Sequence, residues 1–134
     1  MDKEREGKVQ ENSRFGALDY CPLKDSGFRI LIIDPGVEGS EINSSIQEFD
    51  LLEPPQYNAV SYVWGHEPAI HQIHVNKKPT FIRPNLFQAL QRMRTRKHPI
   101  YLWVDSLCIN QSNEGERSIQ VKRMADIYQN AKNV

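Results

Sequence analysis

The 134-residue sequence lacks any long hydrophobic run and any excess of one charge. No segment approaches the ~20 apolar residues of a membrane-spanning helix, and the N-terminus has no apolar signal core. The 17 Lys and Arg residues balance 17 Asp and Glu residues, so no global basic field attracts nucleic acid or acidic membranes. We therefore expect a cytoplasmic protein with no membrane span and no nucleic-acid partner.

Cysteine is scarce, and no metal-ligand pattern is visible. Cys21 and Cys108 lie far apart in the sequence, so reduced thiols are the expectation rather than a disulfide framework. His66, His71 and His74 are close in sequence, but positions 71 and 74 would point to opposite faces of a strand. No nearby acid or cysteine pattern completes a ligand set, and we expect no metal site.

Apolar residues are almost absent from the beginning of the chain. This composition predicts a disordered polar leader over residues 1–19. The remaining residues, 20–134, are enough for one domain that buries a core without disulfides.

Strand and helix patterns alternate along that domain. Apolar, aromatic and β-branched runs predict strands over residues 28–33, 45–49, 57–64 and 101–105, with a β-hairpin over 70–83. One helix is predicted to begin at Pro84, with Leu86, Leu90 and Met93 on its apolar face. A second is predicted over residues 116–130, with a capping-box-like start at Asn113 and Glu116 and an apolar stripe at Val121, Met124, Ile127, Tyr128 and Ala131.

The order of elements from residue 57 onwards is strand, helix, strand, helix and the entry to a strand at Lys132. Such an order implies parallel pairing with right-handed crossovers. The sheet would be unfinished at Val134, so we expect the sequence to be the N-terminal part of a longer domain. Polar residues follow the strand that ends at Asp105, and open α/β sheets build their sites at such strand ends.

Three sequence blocks carry a family resemblance: Tyr57–Gly65, Leu102–Gln111 and Glu116–Tyr128. Together with the linking segment over residues 73–90, they resemble the fungal heterokaryon-incompatibility (HET) domain in the expected order. The resemblance implies a signalling and assembly module that triggers regulated cell death when genetically different hyphae fuse. It also implies protein partners or self-association.

The HET family is itself distantly similar to Toll/interleukin-1 receptor (TIR) domains. That similarity implies a flavodoxin-like α/β fold: a mostly parallel sheet with flanking helices, here with an added N-terminal β region and a β-hairpin. Some TIR domains cleave NAD, so the resemblance implies NAD as a substrate of the complete domain. The TIR-type catalytic glutamate would lie beyond Val134, which leaves the catalytic residues unknown and this chain inactive by itself.

The candidate ligand-binding or assembly residues are Trp64, Gly65, Asp105, Cys108, Asn110, Gln111, Glu116 and Arg117. Asp105 would orient a ribose hydroxyl, or it would cap local amides as loop aspartates do. Cys108 would be a nucleophile only with a nearby base, and no local histidine supplies one, so a small buried residue is the expectation.

The other candidates have equally simple structural alternatives. The amides of Asn110 and Gln111 suit base or ribose recognition, but such amides also satisfy loop backbone. Glu116 would be an acid, and Arg117 would be a phosphate-binding cation. The structural alternative for Glu116 is that it caps the N-terminus of a helix and complements the helix dipole. Trp64 would stack on a nucleotide ring or lie in the core, and Gly65 would permit an unusual backbone geometry.

Overall fold

A computed structural model of the chain describes residues 20–60 and 67–133. The predicted leader, Trp64, Gly65 and His66 lie outside these residues. The described elements are the strands β1 (Gly27–Ile33), β2 (Asn43–Asp50), β3 (Asn58–Ala59), β4 (His71–Val75), β5 (Lys78–Ile82) and β6 (Ile100–Trp103), and the helices α1 (Pro84–Met93), α2 (Asp105–Cys108) and α3 (Glu114–Asn130).

The strands form one six-stranded mixed sheet in the order β3-β6-β1-β2-β4-β5. Strands β1 and β2, β1 and β6, and β4 and β5 pair in antiparallel fashion. Only β2 with β4 and β3 with β6 are parallel. The prediction of an α/β fold is therefore confirmed.

The expectation of a mostly parallel sheet is wrong. Strand β1 lies in the centre of the sheet and runs antiparallel to both of its neighbours. The parallel pairing expected from residue 57 onwards does form between β3 and β6, where Asn58 pairs with Leu102, and Asn58 also forms a parallel bridge with Asn133. The predicted strand entry after Lys132 thus begins, at Asn133, alongside β3.

The predicted β-hairpin is confirmed as β4 and β5. Its two turn residues, Asn76 and Lys77, have φ angles of 53° and 68°. Two consecutive residues with positive φ form the turn whose twist suits a two-residue hairpin, and Asn tolerates this conformation.

The core forms where β1 and β6 meet the helices. Every residue of β1 is buried, and Trp103 of β6 is fully buried. On α1, Leu86 and Leu90 are buried as predicted, while Met93 is partly buried against the core. Burying a Leu side chain contributes about 1.5–3 kcal/mol, so these two residues help to hold α1 on the sheet.

Helix α3 begins with the predicted cap, and its predicted apolar stripe packs against the core except at Val121. The Oδ1 of Asn113 accepts a hydrogen bond from the Glu116 amide at 3.0 Å, which is an N-cap. Val121 was predicted to face the core but is 52% exposed, whereas Gln120 and Ile127 are buried. The Gln120 side chain is buried because its amide donates to Gly27 O at 3.2 Å.

The strand predicted over residues 101–105 ends at Trp103, and Asp105 instead opens the short helix α2. The amides of Leu107 and Cys108 both bond to Val104 O, at 3.1 and 2.7 Å. The described residues contain no helix that is long and apolar enough to cross a membrane.

Candidate assembly or ligand site

The candidate residues lie in the α2–α3 segment, defined here as residues 105–117. Because β3 and β6 are parallel, their carboxyl ends meet at the same edge of the sheet, and the segment starts there. Its first residue, Asp105, is half-buried and opens α2. The position at a parallel strand end is where open α/β sheets bind ligands.

The carboxyl group of Asp105 lies in a partly apolar environment. Burial raises its pKa, although hydrogen bonds from the backbone amides of Asp105 and Ser106 oppose the shift. Burial also raises the pKa of Tyr128, and the charge of Asp105 raises it further. The Tyr128 ring packs edge-on against Trp103 with 5.5 Å between ring centroids.

Cys108 is fully buried, as predicted. Its sulfur accepts a hydrogen bond from the Val104 amide at 3.4 Å. Burial raises the pKa of the Cys108 thiol to about 12. Because the thiolate is the nucleophilic form, this cysteine is a structural residue.

A buried ion pair between Arg29 and Glu116 joins the centre of the sheet to the start of α3. The Arg29 guanidinium donates to both carboxylate oxygens of Glu116, at 2.8 Å from Nη2 to Oε1. The two side chains are only 4% and 11% exposed. A bidentate pair at this depth fixes the geometry of both elements.

Glu116 also holds the loop before its own helix. Its Oε2 accepts a hydrogen bond from the Asn110 amide at 2.8 Å. Burial by itself would raise the pKa of Glu116, but the hydrogen bonds from Arg29 and Asn110 together with the charge of Arg29 lower it below its ordinary value. The carboxylate therefore stays ionised and does not act as a proton donor at neutral pH.

Arg29 also contacts the residues that precede β1. Its Nη2 donates to Cys21 O at 2.8 Å, and its Nη1 donates to Cys108 O at 3.2 Å. The guanidinium carbon lies 4.6 Å from the centroid of the Tyr20 ring, within range of a cation–π interaction. The Tyr20 hydroxyl in turn donates to Leu107 O at 2.8 Å.

The amides of Asn110 and Gln111 bond within the segment itself. Asn110 Oδ1 accepts a hydrogen bond from the Ser112 hydroxyl at 2.8 Å, and Gln111 Nε2 donates to Asp105 O at 2.8 Å. Both residues still present polar atoms outward, because Asn110 is partly exposed and Gln111 is exposed. Arg117 is exposed on the first turn of α3.

The structure thus brings together six of the eight candidate residues, while Trp64 and Gly65 lie outside the described part of the chain. Sequence reasoning missed Arg29 and Tyr20. The signal for Arg29 was present: a single arginine inside the otherwise apolar run Phe28–Ile33 requires a buried partner, because an unpaired buried charge is too costly. Nothing in the sequence pattern pointed to Tyr20.

His71 and Arg94 contact parts of the protein outside the α2–α3 segment. Arg94 belongs to a basic cluster formed by Arg92, Arg94, Arg96 and Lys97. His71 stacks on Phe87 with 4.5 Å between ring centroids. Arg94 donates to the carbonyl oxygens of Glu41 and Val37 at 2.8 and 2.6 Å, so it supports a loop rather than only the end of a helix. Within residues 20–60 and 67–133, no three His, Cys, Asp or Glu side chains are grouped to hold a metal ion.

Comparison with known proteins places the chain in a family. The model of the heterokaryon incompatibility protein (HET) family matches residues 57–134, which is more than half of the chain. The sequence is also 38% identical over 134 aligned positions to heterokaryon incompatibility protein 6, OR allele, from Neurospora crassa. No solved structure matches the chain.

The chain therefore belongs to the HET family, and the predicted resemblance is confirmed. The alignment with the Neurospora protein covers 88% of this chain and 20% of that protein. The chain spans about a fifth of the length of this curated relative.

Proposed function

We propose that the chain is a HET-type signalling and assembly module that acts in fungal allorecognition and regulated cell death, in the cytoplasm and through protein partners or self-association. The proposal rests on family membership and on the architecture of the α2–α3 segment. One observation carries the assembly role: an exposed polar surface is held on both sides by buried anchors.

The anchors precede and follow the exposed run. Leu107, Cys108 and Ile109 are buried, and Glu116 is held by Arg29. The residues between them, 111–115, are all exposed.

This arrangement favours recognition of a protein surface. A segment that is already ordered loses less conformational entropy on binding than a mobile loop, so more of the contact energy appears as affinity. Cys108 is unsuited to covalent chemistry because of its raised pKa. The exposed amides and Arg117 supply hydrogen-bond donors of the kind found at wet, polar interfaces.

The direct test is the concentration dependence of sedimentation of the 134-residue chain and of two charge-reversal variants on α3. Arg117→Glu changes the proposed surface, and Lys122→Glu is the matched control at another exposed position of the same helix. We expect self-association of the wild type and of Lys122→Glu, and a loss of at least tenfold in the association constant for Arg117→Glu. Equal behaviour of the two variants would contradict the proposed surface.

A second candidate function is NAD hydrolysis: the chain would be the front part of a TIR-like NAD hydrolase whose catalytic glutamate lies beyond Val134. The half-buried Asp105 at the ends of two parallel strands, with its raised pKa, favours a ribose-binding role. The test is nicotinamide release from NAD by the chain alone and by a version extended by ~100 residues, which would complete a domain of ordinary size. Turnover by the extended form that is lost in Asp105→Asn would support it, and no turnover by either form would reject it.

A further inference from the structure

Residues 20–26, which we call the strap, join the predicted assembly surface to the sheet without belonging to a strand or helix. Tyr20 lies at one end of the strap and contacts both the Leu107 carbonyl and the Arg29 guanidinium. The same guanidinium holds the Cys21 carbonyl and the Glu116 carboxylate. The strap and the α2–α3 segment therefore share one buried cation.

The other end of the strap is fixed to the rest of the fold. The Lys24 amide donates to Glu48 Oε2 at 2.9 Å, and the Ser26 hydroxyl donates to Asp50 Oδ1 at 2.7 Å. Arg123 of α3 donates to the carbonyl oxygen of Asp25. These contacts attach residues 24–26 to β2 and α3, so only the part around Tyr20 and Cys21 bears directly on the α2–α3 segment.

The hydrogen bond of the Tyr20 hydroxyl is part-buried. Burial raises the pKa of its hydroxyl far above the ordinary value, and the charge of Arg29 opposes this only in part. The hydroxyl thus stays a donor to Leu107 O at any physiological pH. Without Tyr20, the Leu107 carbonyl and one face of Arg29 would have to find other partners, and an unmade buried hydrogen bond is costly.

We propose that the strap is a positioning device that keeps the α2–α3 segment ordered for assembly, and that its displacement at Tyr20 switches the segment to a loosened form. The assembly consequence rests on the proposed function, whereas the ordering of the segment does not. Arg29 is the coupling residue, because it bonds to the strap, to Cys108 O in α2 and to Glu116 in α3.

Hydrogen exchange of the full 134-residue chain, read by mass spectrometry, tests the ordering. Tyr20→Phe removes the bond to Leu107 O but keeps the ring over Arg29, and we expect about fivefold faster exchange in residues 105–117, the factor that corresponds to one net hydrogen bond. Tyr20→Ala removes both contacts, and we expect at least tenfold faster exchange there. Tyr101→Phe, at another half-buried tyrosine, is the matched control and should change nothing in this segment.

The exchange and self-association results for Tyr20→Ala either overturn the proposal or separate it from the proposed function. Unchanged exchange in residues 105–117 of Tyr20→Ala would overturn it, and so would an equal increase over β1 and β4, which would indicate only lower global stability. Faster local exchange with weaker self-association would support both ideas. If residues 105–117 exchange faster in Tyr20→Ala but self-association is unchanged in both Tyr20→Ala and Arg117→Glu, the positioning role of the strap is supported. The proposed assembly surface is then rejected.

Discussion

The Arg29–Glu116 ion pair allows a sharp prediction about stability. In Glu116→Ala, the guanidinium of Arg29 stays buried, with 4% of the side chain exposed, but loses its only carboxylate among the described residues. Removing one partner of a buried pair costs about 3–5 kcal/mol, because an uncompensated charge remains. An exposed pair would contribute only about 0–1 kcal/mol. Because both side chains have low exposure, we expect the cost of a buried pair rather than that of an exposed pair. Arg29 keeps its carbonyl acceptors in the variant, so we expect a loss near the lower end of the range of about 3–5 kcal/mol.

The assay is urea denaturation followed by tryptophan fluorescence, with two controls. Glu114→Ala removes an exposed acid from the same first turn of α3 and should lower the free energy of unfolding by about 0.3–1 kcal/mol, the helix-dipole contribution. The double variant Arg29→Met/Glu116→Leu replaces the pair by apolar groups and should be much less destabilised than Glu116→Ala. A loss below about 1 kcal/mol in Glu116→Ala, or a double variant less stable than Glu116→Ala, would contradict this prediction.

The same pair has a defined pH dependence. The pKa of Glu116 in the folded protein is lower than its ordinary value of 4.5, so its contribution is complete above that value and is lost as pH falls through the folded pKa. Wild-type stability should therefore fall by more than that of Arg29→Met/Glu116→Leu as the pH is lowered below 4.5. Parallel pH curves for the two proteins would show that the carboxylate is not linked to folding.

Three further results are expected. At pH 8, Cys21 should react quickly with a chromogenic disulfide, while Cys108, with its pKa near 12, should react only after unfolding; two fast thiols would contradict its burial. Asn113→Ala removes the N-cap of α3 and should lower the free energy of unfolding by about 1 kcal/mol in urea titrations, and an unchanged midpoint would contradict the cap. Asp105→Asn should be more stable than wild type at pH 7 and equal to it near pH 3, because a raised folded pKa means that the ionised form opposes folding; a less stable variant at pH 7 would contradict this sign.

Local patterns in the sequence predicted local structure well. The run Phe28–Ile33 predicted β1, the pattern over residues 70–83 predicted the hairpin, and Pro84 marked the first turn of α1. Each of these depends on backbone preferences or on a short apolar period that neighbouring residues reveal. The N-cap at Asn113 is of the same kind.

Long-range pairing was not predictable in the same way. The direction of β1 relative to β6 depends on contacts between residues about 70 positions apart, such as Leu31 with Leu102, and no local pattern encodes them. One position of α3 was misassigned for a related reason: Val121 is apolar but exposed, and the neighbouring polar Gln120 is buried, where its side-chain amide donates to Gly27 O.

The candidate site shows the same division. Asp105, Asn110 and Gln111 were selected because polar residues follow a strand, and they do lie together in one segment. Arg29, whose ion pair with Glu116 anchors the segment, belongs to β1 and lies far earlier in the sequence. Its position inside an apolar strand was the only available sign of a buried partner, and the identity of that partner, Glu116, depends on the fold.

The central claim is that this HET-family chain acts by assembly through the α2–α3 segment. Its most direct test is the viability of fungal cells that express the 134-residue chain fused to an inducible dimerisation module, beside Arg117→Glu and Lys122→Glu at matched levels. We expect death on induced clustering of the wild type and of Lys122→Glu, and survival with Arg117→Glu. Survival in all three cases, or death in all three, would contradict it.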